Sequence, residues 1–226
     1  EIYEKQKRYE AALPLARRAA ASDSPEHQSG LFLLVANLYV AMGKARQGVK
    51  DLQSFLPRHA AESDLYSALG IVKEALGDAA GAREEYGRAL ARDPLAQEPV
   101  KHLFTLDRRE GRLPELLAAL LSATQKNPES AFHAAYLGLT LEALGRERDA
   151  ATEYQRVLKA DPEYVVALVN WAGLLARQRN IDAAVPLYRR ALAKDPASVE
   201  ARVGLGAALS IQGKNEDAVA TLVEGE

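Results

Sequence analysis

Apolar and small residues recur at three- and four-residue spacing in two successive stretches of segment 127–161. This spacing lines side chains along one face of a helix, so each stretch predicts an amphipathic helix. Gly145 lies between the two stretches and suits the left-handed conformation that often ends a helix. The segment therefore predicts two helices joined by a tight turn. The residues on their apolar faces are Ala134, Leu137, Gly138 and Leu141, then Ala150, Tyr154, Val157 and Leu158.

The two-helix pattern returns at a fixed interval. Pro94, Pro128, Pro162 and Pro196 are each separated by 34 residues. A constant period of this length marks a stack of similar structural units. One helix pair cannot bury its apolar face alone, whereas stacked pairs can. We also expect Asp161, directly before Pro162, to cap the next helix at its N-terminus.

The pattern resembles the tetratricopeptide repeat (TPR), a 34-residue unit of two antiparallel helices. Equivalent residues of several repeats carry the resemblance: Leu69, Gly70, Gly77, Ala82 and Tyr86, then Leu137, Gly138, Gly145, Ala150 and Tyr154, then Trp171, Ala172, Ala184 and Tyr188, then Leu205, Gly206, Gly213 and Ala218. It implies an all-α fold, a right-handed TPR superhelix (α-solenoid) of antiparallel helix pairs. We expect one solenoid over residues 1–226, with a partial repeat at 1–28 and repeats at 29–62, 63–96, 97–130, 131–164, 165–198 and 199–226.

The repeat at 97–130 departs from the pattern. Phe104 and Leu116 occupy positions where its neighbours have small residues, and Asp107 stands where a large apolar residue is usual. Bulk at both crossing positions is expected to force the two helices apart. We therefore predict a local change of curvature in this repeat.

The amino-acid composition argues against some classes of function but does not indicate a cellular compartment. The net charge is −2 and the pI is about 6.2, so the basic character typical of nucleic-acid binding is missing. No apolar run is long enough to predict membrane insertion. The chain has no cysteine, which excludes disulfides and thiolate chemistry but leaves a cytoplasmic and a periplasmic location open.

The sequence offers no constellation typical of an enzyme. The four histidines are His27, His59, His102 and His133, and no two have the spacing of a helical metal pair. We interpret them as structural or solvated. Residues 204–209 resemble part of a dinucleotide-binding fingerprint, but no strand precedes them, and the repeat explains Gly206 as a helix-contact position. We predict no catalytic residue, no metal site and no cofactor.

An aromatic cage is a second candidate for chemistry. It would use Trp171 and the tyrosines Tyr86, Tyr154 and Tyr188. Their places in the repeat face the interior, so packing in the core is the preferred interpretation.

The TPR resemblance implies that ligands contact the first helix of each unit on the concave side. Carried onto this chain, that groove contains Asn37, Ile71, Glu74, Lys101, Thr105, Arg108, Arg109, Leu139, Glu142, Val169, Gly173, Arg177 and Val203. Leu139, Val169, Val203 and Ala207 could form an exposed apolar strip of the kind that marks binding surfaces, or neighbouring side chains could cover them. The Lys101, Arg108 and Arg109 cations could hold a carboxylate-bearing peptide, or form salt bridges with Glu74 and Glu142.

These observations predict a non-enzymatic scaffold that binds a peptide or protein segment in its groove. The alternative is a docking or regulatory module of a larger enzyme or export assembly. No polar cap is visible at either end, so a segment of a longer protein, or self-association through uncapped ends, is also expected. The Lys and Asn pattern by which some TPR proteins grip chaperone tails is not matched, because Leu33 and Ala68 occupy positions that need polar groups.

Overall fold

A computed structural model of the chain describes residues 2–22 and 30–223, with side chains from Arg8 onward. These residues form α-helices joined by short turns, and they contain no strand, which confirms the all-α prediction. The segment 23–29, including His27 and the start of the repeat at 29–62, lies outside the described residues, as do the last residues of the repeat at 199–226. The helices are α1 (Ile2–Ala20), α2 (Leu31–Ala41), α3 (Ala45–His59), α4 (Ser63–Ala75), α5 (Ala79–Arg92), α6 (Gln97–Glu110), α7 (Leu113–Lys126), α8 (Ala131–Ala143), α9 (Glu147–Ala160), α10 (Val165–Arg177), α11 (Ile181–Lys194), α12 (Val199–Ile211) and α13 (Asn215–Val223).

The helices belong to two compact units that divide between Arg112 and Leu113. The first unit holds α1 to α6 and the second holds α7 to α13. Within each unit, successive helices pack in pairs, and first helices of adjacent pairs also touch, as α2 does with α4 and α10 does with both α8 and α12. The division falls inside the repeat at 97–130. The opening of that helix pair and the single array over 1–226 therefore stay predictions.

Glycines at a positive φ lie in the turns that follow the first helices of the repeats. Gly145 has a φ of 76°, and Gly43, Gly77, Gly111 and Gly213 adopt the same left-handed conformation. This confirms the role predicted for Gly145, since a residue without a Cβ enters this region at little cost. Arg179 occupies the equivalent turn one repeat after Gly145 and is left-handed as well, with a φ of 64°.

The capping role predicted for Asp161 is wrong. Asp161 ends α9, and its Oδ1 accepts a hydrogen bond from the Glu163 N–H at 3.1 Å. The helix that follows begins at Val165, after Tyr164. The aspartate side chain is used by its own turn, as Asx turns commonly are, so it cannot reach the next helix.

Tyrosines of second helices fill the space above glycines of first helices. A Cβ added to Gly138 would lie 2.6 Å from Cε1 of Tyr154, and Tyr86 covers Gly70 in the same manner. Both tyrosines are fully buried. The close approach of the two helices at Gly138 therefore depends on the absence of a side chain there.

Asp107, predicted to disturb the apolar pattern, is accommodated by an ion pair. It is 2% exposed, and Arg83 Nε of α5 donates to its Oδ1 at 2.7 Å. The same guanidinium reaches Glu110 at 2.7 Å. A buried carboxylate is tolerated when a fixed cation and hydrogen bonds compensate its lost hydration.

Candidate functional site

In the second compact unit, the first helices of the successive repeats lie side by side. They form one face, which we call the α10 face. It consists of α10 at the centre with α8 and α12 on either side, and α10 contacts both. Six of the predicted groove residues lie on these helices: Leu139, Glu142, Val169, Gly173, Arg177 and Val203. The other seven belong to the first unit and are described separately below.

A recess of about 380 Å³ opens on the α10 face. It brings together Leu139 and Val169, two members of the predicted apolar strip. The other two members do not line it: these are Ala207 and Val203, and Val203 is 55% exposed on α12. The remaining lining residues are Val165, Val166, Asn170, Asp195, Ser198 and Glu200.

The sequence did not indicate the contribution of Asp195 and Ser198 to the recess. Both precede α12, where the Ser198 hydroxyl accepts a hydrogen bond from the Ala201 N–H at 3.3 Å and so caps the helix. Asp195 accepts from the Ala197 N–H at 3.0 Å. The TPR resemblance places groove positions on first helices alone, so it does not point to residues of the turn before a first helix.

Arg177 and Glu142 form an ion pair across the α10 face. Arg177 Nη2 donates to Glu142 Oε1 at 2.5 Å, and the Tyr154 hydroxyl donates to Glu142 Oε2 at 3.1 Å. Burial, followed by the charge and hydrogen bond of Glu142, raises the pKa of Tyr154 above its ordinary value, so its hydroxyl stays protonated. Arg177 keeps a half-exposed side chain despite this pair.

A similar cluster surrounds Glu74 in the first unit. Its Oε2 accepts from the Tyr86 hydroxyl at 2.8 Å and lies 2.7 Å from His102 Nδ1. The hydrogen bond with His102 is the largest cause that lowers the pKa of Glu74, and the hydrogen bond from Tyr86 and the charges of His102 and Arg109 lower it further. Tyr86 and His102 stack with ring centroids 5.1 Å apart. His102 therefore has a structural role, one of the two interpretations given for the histidines from the sequence.

The other predicted groove residues of the first unit differ in accessibility. Asn37, Thr105, Arg108 and Arg109 are exposed, whereas Ile71 is only 9% exposed and belongs to the core. Lys101 pairs with Glu98 of its own helix at 2.7 Å. Lys101 therefore takes part in a salt bridge, with Glu98 as a partner.

The aromatic residues belong to the core, as preferred from the sequence. Tyr86 and Tyr154 are fully buried, Tyr188 is 5% exposed, and Trp171 packs partly buried against the core of the second unit. Gly206 is a helix contact as predicted, since a Cβ there would lie 2.9 Å from Leu222.

Metal-ligand groups and membrane-spanning helices were the remaining features to consider among the described residues. They contain no group of three or more potential metal ligands. His59 packs edge-on against Phe32 and Phe55, and His133 is buried beside Ser130. Every helix in the described ranges is too short or too polar to span a bilayer.

Comparison with known proteins decides the family. The family model described as tetratricopeptide repeat matches residues 103–165 and 169–224, which together exceed half of the chain. The chain belongs to the tetratricopeptide repeat family. Its paired helices are TPR units, and the TPR fold is that of a protein–protein interaction scaffold.

Two solved TPR structures illustrate the fold. PilF of Pseudomonas aeruginosa has a TM-score of 0.65 and 19% identity, with 93% of this chain and 90% of that chain covered. YrrB, described as a TPR protein with an unusual peptide-binding site, has a TM-score of 0.51 and 18% identity, with 76% of this chain and 88% of that chain covered. At these identities the likeness shows the fold alone.

A curated relative is similar to part of this TPR chain. The probable biofilm formation methyltransferase WspC of Pseudomonas putida is 29% identical over 102 residues, which are 45% of this chain and 24% of that protein. The chain thus spans about a quarter of the length of this relative.

Proposed function

We propose that this TPR chain binds a peptide or protein segment along the α10 face and has no catalytic activity of its own. The recess supports this proposal most directly. Val166 and Val169 of α10 and Leu139 of α8 supply apolar lining, and Asp195 and Glu200 supply charged lining. A concave apolar site with a few polar groups is the usual form of a ligand pocket.

The partner is proposed to be a polypeptide rather than a nucleic acid. The chain carries a net charge of −2, and the recess itself contains the carboxylates Asp195 and Glu200. Proteins bind phosphate backbones through clusters of Lys and Arg. The carboxylates of Asp195 and Glu200 would instead repel phosphate. An apolar side chain of a peptide, in contrast, would bury its surface on the valines at roughly 25 cal/mol per Å².

Selection from random peptides displayed on phage tests this function. The wild-type chain is expected to enrich peptides with a shared apolar position. Val169→Lys and Val166→Lys are each expected to abolish enrichment, because an ammonium would replace an apolar lining side chain of the recess. Val219→Lys is the matched control, since Val219 is 61% exposed on α13, away from the recess. Circular dichroism establishes that each variant folds. Failure of the wild-type chain to enrich any peptide contradicts the proposal, as does equal enrichment by the folded Val169→Lys and Val166→Lys variants.

A second candidate function follows from the similarity to WspC. We propose as an alternative that these repeats are a docking or regulatory module of a larger enzyme or export assembly. The matched 102 residues are 24% of a protein named as a methyltransferase. Determining the flanking sequence of the full-length gene product tests this alternative, and an open reading frame limited to repeats contradicts it.

Self-association is a further proposal from the sequence. Val199, Ile211 and Val223, on the last two described helices, are about three-fifths exposed. Light scattering over a range of protein concentrations tests it, and a constant monomer mass contradicts it.

A further inference from the structure

A tyrosine-to-glutamate hydrogen bond recurs within the repeats. Tyr86 donates to Glu74, and Tyr154 donates to Glu142, in each case to a glutamate twelve residues earlier in the chain. Tyr188 is the equivalent tyrosine of the following repeat. The residue twelve positions before it is Ala176, so this repeat has the donor without the carboxylate.

The hydroxyl of Tyr188 retains its donor capacity. Within residues 2–22 and 30–223, no side chain or backbone group hydrogen-bonds to it, and it is not sealed in the core. Burial of the ring is the main cause that raises the pKa of Tyr188, and the charge of Arg177 opposes this effect. The phenol is therefore protonated at neutral pH and available to donate.

Gly173 leaves open the space beside this hydroxyl. A Cβ placed on Gly173 would lie 3.5 Å from the Tyr188 hydroxyl oxygen and 3.6 Å from Arg177 Nη1. The two donors thus both border the space beside Gly173, which we call the hollow. Glu142 engages Nη2 of Arg177, so Nη1 is the nitrogen directed at the hollow.

The donors define the ligand that fits. A guanidinium and a neutral hydroxyl together offer hydrogen atoms and positive charge, which a carboxylate accepts better than a neutral amide does. The protein already provides the precedent, since Glu142 accepts from Tyr154 and Arg177 at once. The hollow has the same two donor types as that internal site.

The position of the hollow relative to the recess sets the spacing in the ligand. Val169 lines the recess, and Gly173 lies one turn further along α10, about 6 Å away at 1.5 Å per residue. Side chains on the same side of an extended peptide are about 6.5–7 Å apart, two residues from one another. Asp195 and Glu200 line the recess itself and repel acidic groups there, which favours the Arg177 end for a carboxylate.

We propose that Gly173, Arg177 and Tyr188 form a carboxylate-binding position for peptides that carry Asp or Glu two residues from the apolar side chain held in the recess. The proposal rests on the peptide binding proposed above and specifies its ligand class. Ala176 is the residue that keeps the position open, because a glutamate there would supply the missing internal carboxylate.

The phage selection and one synthetic peptide pair test the proposal. Peptides enriched by the wild-type chain are expected to carry Asp or Glu two residues from the shared apolar residue. The most enriched peptide and its counterpart with Gln in place of the acid are then compared by fluorescence anisotropy. The wild-type chain is expected to prefer the acidic peptide about tenfold, as a charge-assisted hydrogen bond provides.

Two variants with matched controls separate this position from general charge effects. Ala176→Glu and Tyr188→Phe are each expected to reduce the preference to about threefold or less, the first by internal competition and the second by loss of a donor. Ser210→Glu adds the same charge one repeat later, where Leu222 replaces the tyrosine, and Tyr86→Phe removes a hydroxyl in the first unit. Both controls are expected to keep the preference.

The outcomes distinguish the two proposals. Absence of any enriched peptide overturns the proposed function and this inference with it. Enrichment of apolar peptides without an acidic preference overturns the inference alone. An equal loss of preference in Ala176→Glu and Ser210→Glu also overturns it, because the effect would then be a general charge effect.

Discussion

The ring of Tyr154 lies so close over Gly138 that a Cβ there would approach Cε1 to 2.6 Å. Tyr154 is fully buried, so its ring cannot move aside without disturbing the core. This relationship explains why the first helix of the pair needs a glycine despite that residue's poor helix propensity.

Gly138→Ala is expected to lower the free energy of unfolding by about 1–3 kcal/mol, as overpacking of a filled core does. Gly173→Ala is the control, since its Cβ would meet neighbours only at 3.5 and 3.6 Å, ordinary contact distances. That variant is expected to gain about 0.5–1 kcal/mol from helix propensity. Urea unfolding followed by circular dichroism measures both. A similar change of the same sign in the two variants contradicts the packing explanation.

Arg179→Gly is expected to stabilise the chain by about 1 kcal/mol. Arg179 has a φ of 64° in a turn where the other repeats use glycine, and a Cβ makes this conformation unfavourable. Gly145→Arg is the reciprocal variant, with a φ of 76° and open space around its Cβ position. It is expected to lose about the same free energy, again about 1 kcal/mol. Thermal unfolding of both variants measures the effect, and the backbone explanation fails if the two shift the midpoint in the same direction.

Arg83→Met is expected to destabilise the chain by about 3 kcal/mol, because it removes the guanidinium that donates to the buried Asp107 carboxylate. Arg83 and Asp107 are 13% and 3% exposed as side chains, so solvent screens this pair little. The double variant Arg83→Met with Asp107→Leu is expected to recover much of the loss, since neither charge then remains buried. Urea unfolding of the two single variants and the double variant measures the coupling. If the losses of stability in the two single variants simply add in the double variant, the ion pair is not the cause of the destabilisation.

Stability is expected to fall below pH 4.5 partly through Glu74. Its pKa is held below the ordinary value of 4.5, chiefly by His102, so the unfolded chain takes up the proton first as the pH falls. The contribution of ionised Glu74 is complete above pH 4.5 and is lost as the pH drops through its folded-state pKa.

Glu74→Gln and His102→Leu are both expected to flatten this part of the pH profile. The control is Glu84→Gln, a carboxylate whose side chain is 59% exposed. Hydrogen–deuterium exchange at neutral and acidic pH measures the local stability of α4 and α6, the helices that carry Glu74 and His102. If the stability of Glu74→Gln falls at acidic pH as steeply as that of the wild-type chain, other carboxylates are responsible for the loss of stability.

The predictions that held depend on local chemistry. The helix pairs followed from apolar spacing, the turn at Gly145 from a residue without a Cβ, and the burial of Tyr86 and Tyr154 from their place in the repeat. The cap predicted at Asp161 failed because an aspartate before proline can satisfy its own turn instead. The groove list named Leu139, Val169 and Arg177, but it also included Ile71, which the packing of α4 buries.

The amino-acid sequence by itself determined the repeat length, the helical class and the family, because each of these depends on side-chain periodicity and a few obligatory small residues. Only the tertiary structure decided which residues share a site. Tyr188, Gly173 and Arg177 meet because α10 and α11 pack together, and Asp195 reaches the recess from the turn before α12. Such contacts join residues that are distant in sequence, and their distances depend on how the helices pack.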